Sequence, residues 1–132
     1  MKKLDLTSLE KALTSLQKAI ERYGREPGDE EVRDSVIQRF EYSYELCWKM
    51  LSKELQQRTP SPSQTPSLDF KSLVREGSRF GLIDDPEVWF EYRRMRNITS
   101  HTYDEATAEK VAGSAKSFLK DAKSLLEALE KR

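Results

Sequence analysis

The chain has 132 residues, enough for one domain and not comfortably for two. Charged residues are abundant but balanced, 23 of each sign, so a globally basic nucleic-acid binder is excluded and any phosphate-binding surface must be a local patch. No apolar run is long enough to span a bilayer, no secretory segment follows Met1, and the expectation is a soluble cytoplasmic protein.

Leu, Glu, Lys, Ala and Arg dominate and glycine is scarce, which favours helix. The first helix is predicted from about Leu6 to Tyr23. Leu6, Leu9, Leu13, Leu16, Ile20 and Tyr23 recur at alternating three- and four-residue steps, a seam of coiled-coil type. Thr7 and Glu10 suit a capping box at its start, and Gly24 with the Glu26-Pro27-Gly28-Asp29 turn ends it.

A longer helix is predicted from about Glu30 to Gln57. Ile37, Phe40, Tyr44, Cys47, Leu51 and Leu55 form one stripe, while Val36, Tyr42, Leu46, Trp48 and Met50 widen the apolar surface beyond what one neighbour covers. Either several helices surround this one or part of it meets another subunit. Cys47 is the sole cysteine, which rules out an internal disulfide; on the apolar stripe it reads as a small buried hydrophobe. With one His and one Cys there is no ordinary zinc site.

Residues 58–67 carry three prolines and read as an inter-helix loop. Ser67 is expected to cap a short helix, about Leu68 to Arg79, with Phe70, Leu73, Val74 and Phe80 inward and Gly81 closing it. Asp85-Pro86 is a start signal for a further helix to about Asn97. The last helix begins near Asp104 and carries Val111, Ala115, Phe118, Ala122, Leu125 and Leu129. At 1.5 Å per residue it is roughly 40 Å long, so it can pair with the second helix along its length. The expected fold is all-α: an up-and-down, four-helix-type bundle with a short extra helix, one domain over residues 1–132.

Chemistry concentrates at residues 96–105. Arg96 and His101 are five residues apart, which on a straight helix separates them by about 140°. Thr99, Ser100 and Asp104 are poor helix-interior residues and good caps, so a turn is expected here, and it lets the two side chains converge. A neutral-pH base beside a permanent cation suits phosphate-ester chemistry: RNA brings its own 2′-hydroxyl nucleophile, the imidazole moves the proton, and the guanidinium offsets charge at phosphorus. Asn97 is placed to orient ribose or phosphate, and Tyr103 to stack or donate a hydrogen bond. The competing reading is a surface or capping histidine, since this spacing also arises by chance.

Weaker signals surround the motif. Lys71, Arg75 and Arg79 fall on one face of the short helix, and Arg93 and Arg94 precede Arg96; together they are RNA-binding candidates, or else a solvated face paired with acids. Glu41 and Glu45 share a helix face, with Glu45 and Lys49 a favourable i,i+4 pair, and read as structural. Trp48, Trp89 and Phe90 read as core or interface. There is no glycine-rich phosphate loop and no Gly-Ser with paired aspartates of nucleotidyltransferase type.

Arg96-Asn97-x-x-Ser100-His101-Thr102-Tyr103-Asp104-Glu105, combined with the stretch from Val36 to Lys49 (VIQRFEYSYELCWK), resembles the HEPN superfamily. The resemblance is to its branch of nucleotidyltransferase substrate-binding proteins, also known as HepT toxins, and covers nearly the whole chain. It implies a homodimeric helical bundle with the motif near the subunit interface, needing no metal or other cofactor. It implies an endoribonuclease toxin, silenced by a separately encoded minimal nucleotidyltransferase that adds AMP to the motif tyrosine. Carried over, Arg96 and His101 are the catalytic pair, Asn97 is the supporting polar residue and Tyr103 is the modified one. The branch name keeps open an alternative, a non-catalytic subunit that binds nucleotide or RNA for the nucleotidyltransferase. A dimerisation module without chemistry is the third.

Overall fold

The computed structural model describes residues 3–58 and 69–131. Among them are five α-helices and no strand: α1 (Thr7–Arg25), α2 (Glu30–Gln57), α3 (Phe70–Arg79), α4 (Pro86–Asn97) and α5 (Glu105–Glu130), with a 3₁₀ turn at Thr99–His101 between α4 and α5. The all-α bundle matches the expectation from periodicity. Apart from Arg58, the proline-rich stretch lies outside the described residues, as does Ser67.

The helix starts are written in aspartates. Asp29 Oδ1 accepts from the backbone N–H of Glu31 at 2.9 Å and of Val32 at 3.2 Å. Asp69 accepts from Ser72 at 2.7 Å, Asp85 from Glu87 at 2.9 Å and Asp104 from Thr107 at 3.1 Å. Each such cap satisfies an otherwise unpaired donor at the start of its helix. Asp69 displaces Ser67 as the cap of α3, which starts at Phe70, because its carboxylate reaches the Ser72 amide. The Thr7–Glu10 capping box is not formed: Leu6 stands at the cap position without a side-chain bond, and Asp5 Oδ1 accepts from Thr7 N–H at 3.0 Å instead. Gly24 lies inside α1, which continues to Arg25.

At the end of α3, Gly81 adopts φ +76°, a left-handed conformation that favours glycine. Leu82 N–H then bonds the Gly77 carbonyl at 2.8 Å and Gly81 N–H bonds Ser78 at 3.0 Å, the paired closure of a Schellman motif. Gly77 serves close approach: a Cβ there would stand 3.1 Å from Leu51 Cδ1, so a larger residue would push the leucine aside or lift α3 from α2. Phe80 is not inward as expected. It is 36% exposed and its ring lies against the guanidiniums of Arg58, at 5.0 Å, and Arg79, at 4.8 Å.

The width of the apolar face on α2 is explained by its neighbours: α1, α3, α4 and α5 all pack on it. The core runs from Leu9, Leu13 and Leu16 of α1 through Val36, Phe40 and Cys47 to Val111, Ala115 and Phe118 of α5. Phe118 is fully buried and meets Phe40, Trp89 and Tyr92 edge to face, at centroid distances of 5.0, 5.9 and 5.3 Å. That cluster fixes α4, whose last turn carries the arginine of the motif. Tyr92 also donates its hydroxyl proton to the Asp121 carboxylate on α5. Burial pushes the Cys47 thiol far above its ordinary value, so Cys47 is packing and not a nucleophile. Among the described residues no helix is long and apolar enough to cross a membrane.

Candidate functional site at the end of α4

The break between α4 and α5 is built by local chemistry. Helix α4 ends at Asn97, and Ile98 N–H still reaches back to Arg94 and Met95, at 3.3 and 3.2 Å. The Thr99 hydroxyl sits between the Arg96 carbonyl at 2.8 Å and Glu41 Oε2 at 2.6 Å, pinning the turn to α2. His101 N–H bonds Ile98 and Asp104 N–H bonds the His101 carbonyl, at 3.0 and 3.1 Å, closing the 3₁₀ turn before Asp104 caps α5. The buried Arg33 of α2 adds a 2.7 Å bond to Glu105, which fixes where α5 begins.

The expected side chains are then set out on both sides of this turn. Arg96 stays on α4, half-buried, with Nε donating to Glu45 Oε1 at 2.7 Å and one terminal nitrogen 3.8 Å from Glu41 Oε2. His101 is exposed on the turn, its ring 6.0 Å from the ring of Tyr103 and tilted by 70°. Tyr103 is 85% exposed. The turn therefore joins His101 with Tyr103, and Arg96 with Asn97. No hydrogen bond links the guanidinium to the imidazole among the described residues.

Sequence reading missed the role of α2. Residue order points Glu45 at Lys49 along its own helix, and Glu45 pairs with Arg96 instead. Glu41 serves both Arg96 and Thr99. A signal was present, since Glu41 and Glu45 share a face four residues apart, but the partner 51 residues further along is visible only in three dimensions. Glu45 is about half exposed, so the pair contributes at most about 1 kcal/mol. Glu45→Gln is expected to change unfolding free energy by less than that, as urea denaturation will show; a larger loss would mean that the pair holds α2 to α4.

Beside Arg96 a cleft of about 220 Å³ opens between α2, α3 and α4. Tyr44, Trp48 and Phe70 give it an aromatic lining, with Trp48 and Phe70 centroids 5.1 Å apart. Glu45, Arg93, Arg96 and Asn97 supply its polar rim. Trp89 is core as expected, whereas Trp48 and Phe90 are only half-buried. The basic candidates divide. Arg93 lies 4.5 Å from the Phe70 ring centre, and Lys71 and Arg75 each lie 5.6 Å from that of Phe90, with no carboxylate ion pair for any of the three among the described residues. Arg79 is paired with Glu76 at 3.1 Å and sits against Phe80, so it is the least available.

Known proteins share this fold. The family model for nucleotidyltransferase substrate binding protein like chains matches residues 4–131. A Haemophilus influenzae protein named probable ribonuclease HepT is 39% identical, over 98% of this chain and 94% of its own length. A solved Haemophilus influenzae structure, described as the fold of a substrate-binding domain of a nucleotidyltransferase, superposes with a TM-score of 0.89 at 36% identity, covering 96% of this chain and 99% of that one. A Thermus thermophilus structure does so with a TM-score of 0.74 at 26% identity, covering 92% and 98%. The chain belongs to the nucleotidyltransferase substrate-binding protein family, the HepT-like branch of the HEPN superfamily.

Proposed function

We propose that this protein is an endoribonuclease toxin whose partner is a minimal nucleotidyltransferase acting as antitoxin. The observation that carries the reading is the break after Asn97, which sets a solvent-exposed imidazole on the 3₁₀ turn that directly follows the helix carrying Arg96. The name of the Haemophilus relative supports it. His101 takes the proton of an RNA 2′-hydroxyl, and the 2′ oxygen attacks the adjacent phosphorus. The bond from phosphorus to the 5′ oxygen breaks, leaving a 2′,3′-cyclic phosphate on one fragment. The imidazolium returns its proton to the departing 5′ oxygen. Arg96 offsets charge on the non-bridging oxygens, and Asn97 orients the ribose or phosphate. No step requires a bound metal. A homodimer presents two such sites to one groove, flanked by Arg93, Arg75 and Lys71. Purified protein without added metal is expected to cut RNA, and His101→Ala to leave the RNA intact; equal cutting by both would overturn the assignment.

Tyr103 is the proposed switch. Its exposed phenol is accessible to a partner enzyme, and its ring stands edge-on to that of His101. Attack of the phenol oxygen on the α-phosphorus of ATP transfers AMP, releases pyrophosphate and gives up the phenol proton. The product sets a bulky phosphodiester beside His101, blocking RNA by occupancy and like charge. Intact-mass spectrometry after incubation with the partner and ATP is expected to show one added AMP on wild type and none on Tyr103→Phe. Undiminished labelling of Tyr103→Phe would move the modified site elsewhere.

A second reading, a non-catalytic subunit binding nucleotide or RNA for the nucleotidyltransferase, is favoured by the aromatic cleft beside Arg96. Under it His101→Ala weakens ligand affinity in calorimetry while the wild type has no cleavage to lose.

A further inference from the structure

We propose that the cleft between α2, α3 and α4 is a nucleotide subsite, in which a nucleobase stacks on Trp48 and its phosphate is held by Arg93 and Arg96. The inference deepens the nucleic-acid reading above, on which it rests, by assigning residues outside the Arg96–His101 motif to recognition.

Three observations carry it. The first is the floor. Trp48 is half-buried and lines the cleft, and its indole lies across the buried Phe70 ring, centroids 5.1 Å apart and planes inclined by 31°, so Phe70 seats the indole and Trp48 supplies the aromatic surface a ligand can reach. Nucleobases of every kind stack on such an aromatic face. The second is the charge at the rim. Arg93 has no carboxylate ion pair among the described residues and is steadied over the Phe70 ring at 4.5 Å, which leaves its fork of donors for an anion. Arg96 stands on the same rim, one helical turn along α4. The third is Tyr44. It is only 5% exposed, lines the cleft, and its hydroxyl makes no hydrogen bond among the described residues. The ring is buried while the hydroxyl still meets solvent in the cleft, so a ligand with polar edges can bond it. A volume of about 220 Å³ suits one ring system and not a drug-sized ligand. The Trp48 face, two guanidiniums, the Tyr44 hydroxyl and the Asn97 amide together match a planar base joined to a phosphate. Glu45 also lines the rim and holds Arg96 through Nε, so a phosphate is received by the remaining guanidinium edge.

The ligand chemistry has two sources, a residue within single-stranded RNA or a free nucleotide, and fluorescence separates them. Trp48 lines the cleft whereas Trp89 is buried in the core, so quenching by a stacked base reports Trp48. Full-length protein is titrated with AMP, CMP, GMP and UMP, and separately with a short uncleavable 2′-deoxy or 2′-methoxy oligonucleotide. Saturable quenching is expected in wild type and absent from Trp48→Phe. The apparent Kd is expected to rise about tenfold in Arg93→Gln, the loss of one charge-assisted contact. Saturation by mononucleotides identifies a free-nucleotide site; saturation by the oligonucleotide alone identifies a base held within a chain. Absence of quenching by every probe, or equal quenching of Trp48→Phe, overturns the proposal. So does Trp48 shielded from acrylamide in the ligand-free protein and unshielded on dilution, which would show a second copy covering the cleft. Cleavage and quenching are read on the same wild-type preparation. Quenching without RNA cleavage would therefore remove the ribonuclease reading and leave the subsite, whereas cleavage without quenching would do the reverse.

Discussion

Arg96→Ala and His101→Ala are each expected to slow RNA cleavage by a factor of about 10² or more while leaving the fold intact. A positioned general base or acid contributes about 10²–10⁴ in rate, and a donor aimed at developing oxyanion charge about 10²–10³. Both side chains are cheap to remove structurally. His101 is exposed, and its described ring contact is with the exposed Tyr103. Arg96 is half-buried, with an ion pair to the exposed Glu45. The loss is therefore expected in rate and not in circular dichroism or melting behaviour. Arg96→Lys separates charge from geometry. The guanidinium spends Nε on Glu45 and still presents a terminal edge, whereas an ammonium has a single centre to share between carboxylate and phosphate. Lysine is expected to recover only a minor part of the rate. Full activity in Arg96→Lys would mean that charge alone is used there, and full activity in Arg96→Ala would remove Arg96 from the site.

Phe118→Ala is expected to be the most damaging single truncation to stability, at about 3–5 kcal/mol. That is a large share of the roughly 5–15 kcal/mol typical of a whole domain. Phe118 is fully buried, and it is enclosed by Phe40 of α2 and by Trp89 and Tyr92 of α4, all at steep interplanar angles. Truncation removes three edge-to-face contacts at once and leaves a void bounded by large rigid rings, which collapse poorly. Because Trp89 and Tyr92 seat the helix that ends in Arg96 and Asn97, the variant is also expected to lose near-ultraviolet dichroism from Trp89. Phe118→Leu, which refills most of the volume, is expected to cost much less. Urea unfolding measures both, and a cost below about 1.5 kcal/mol for the alanine variant would show that α4 and α5 close over the gap.

The helices themselves were legible from residue order. Apolar steps of three and four residues marked α1, α2 and α5, and Asp85-Pro86 and Asp104 marked two helix starts, because periodicity and capping are local properties. Where two caps competed, order alone failed: Ser67 and Asp69 are both good candidates, and only the reach of a carboxylate to the Ser72 amide distinguishes them. Phe80 failed for a related reason. An aromatic at a helix end can bury itself or be covered by cations, and the position of Arg58 decides.

The motif at 96–105 was likewise visible as a rare grouping of base, cation and phenol, and its turn followed from Thr99, Ser100 and Asp104. What residue order determined, then, is the set of helices, their limits to within a few residues, and which short segment carries reactive groups, since each depends on neighbours a few positions away. The tertiary structure decided what those groups face. Glu41 and Glu45 become the partners of Thr99 and Arg96, and Trp48 comes to line a cleft over the buried Phe70, because α2, α3 and α4 converge there. Contacts between residues far apart in the chain depend on how helices pack, and packing is a property of all the faces together.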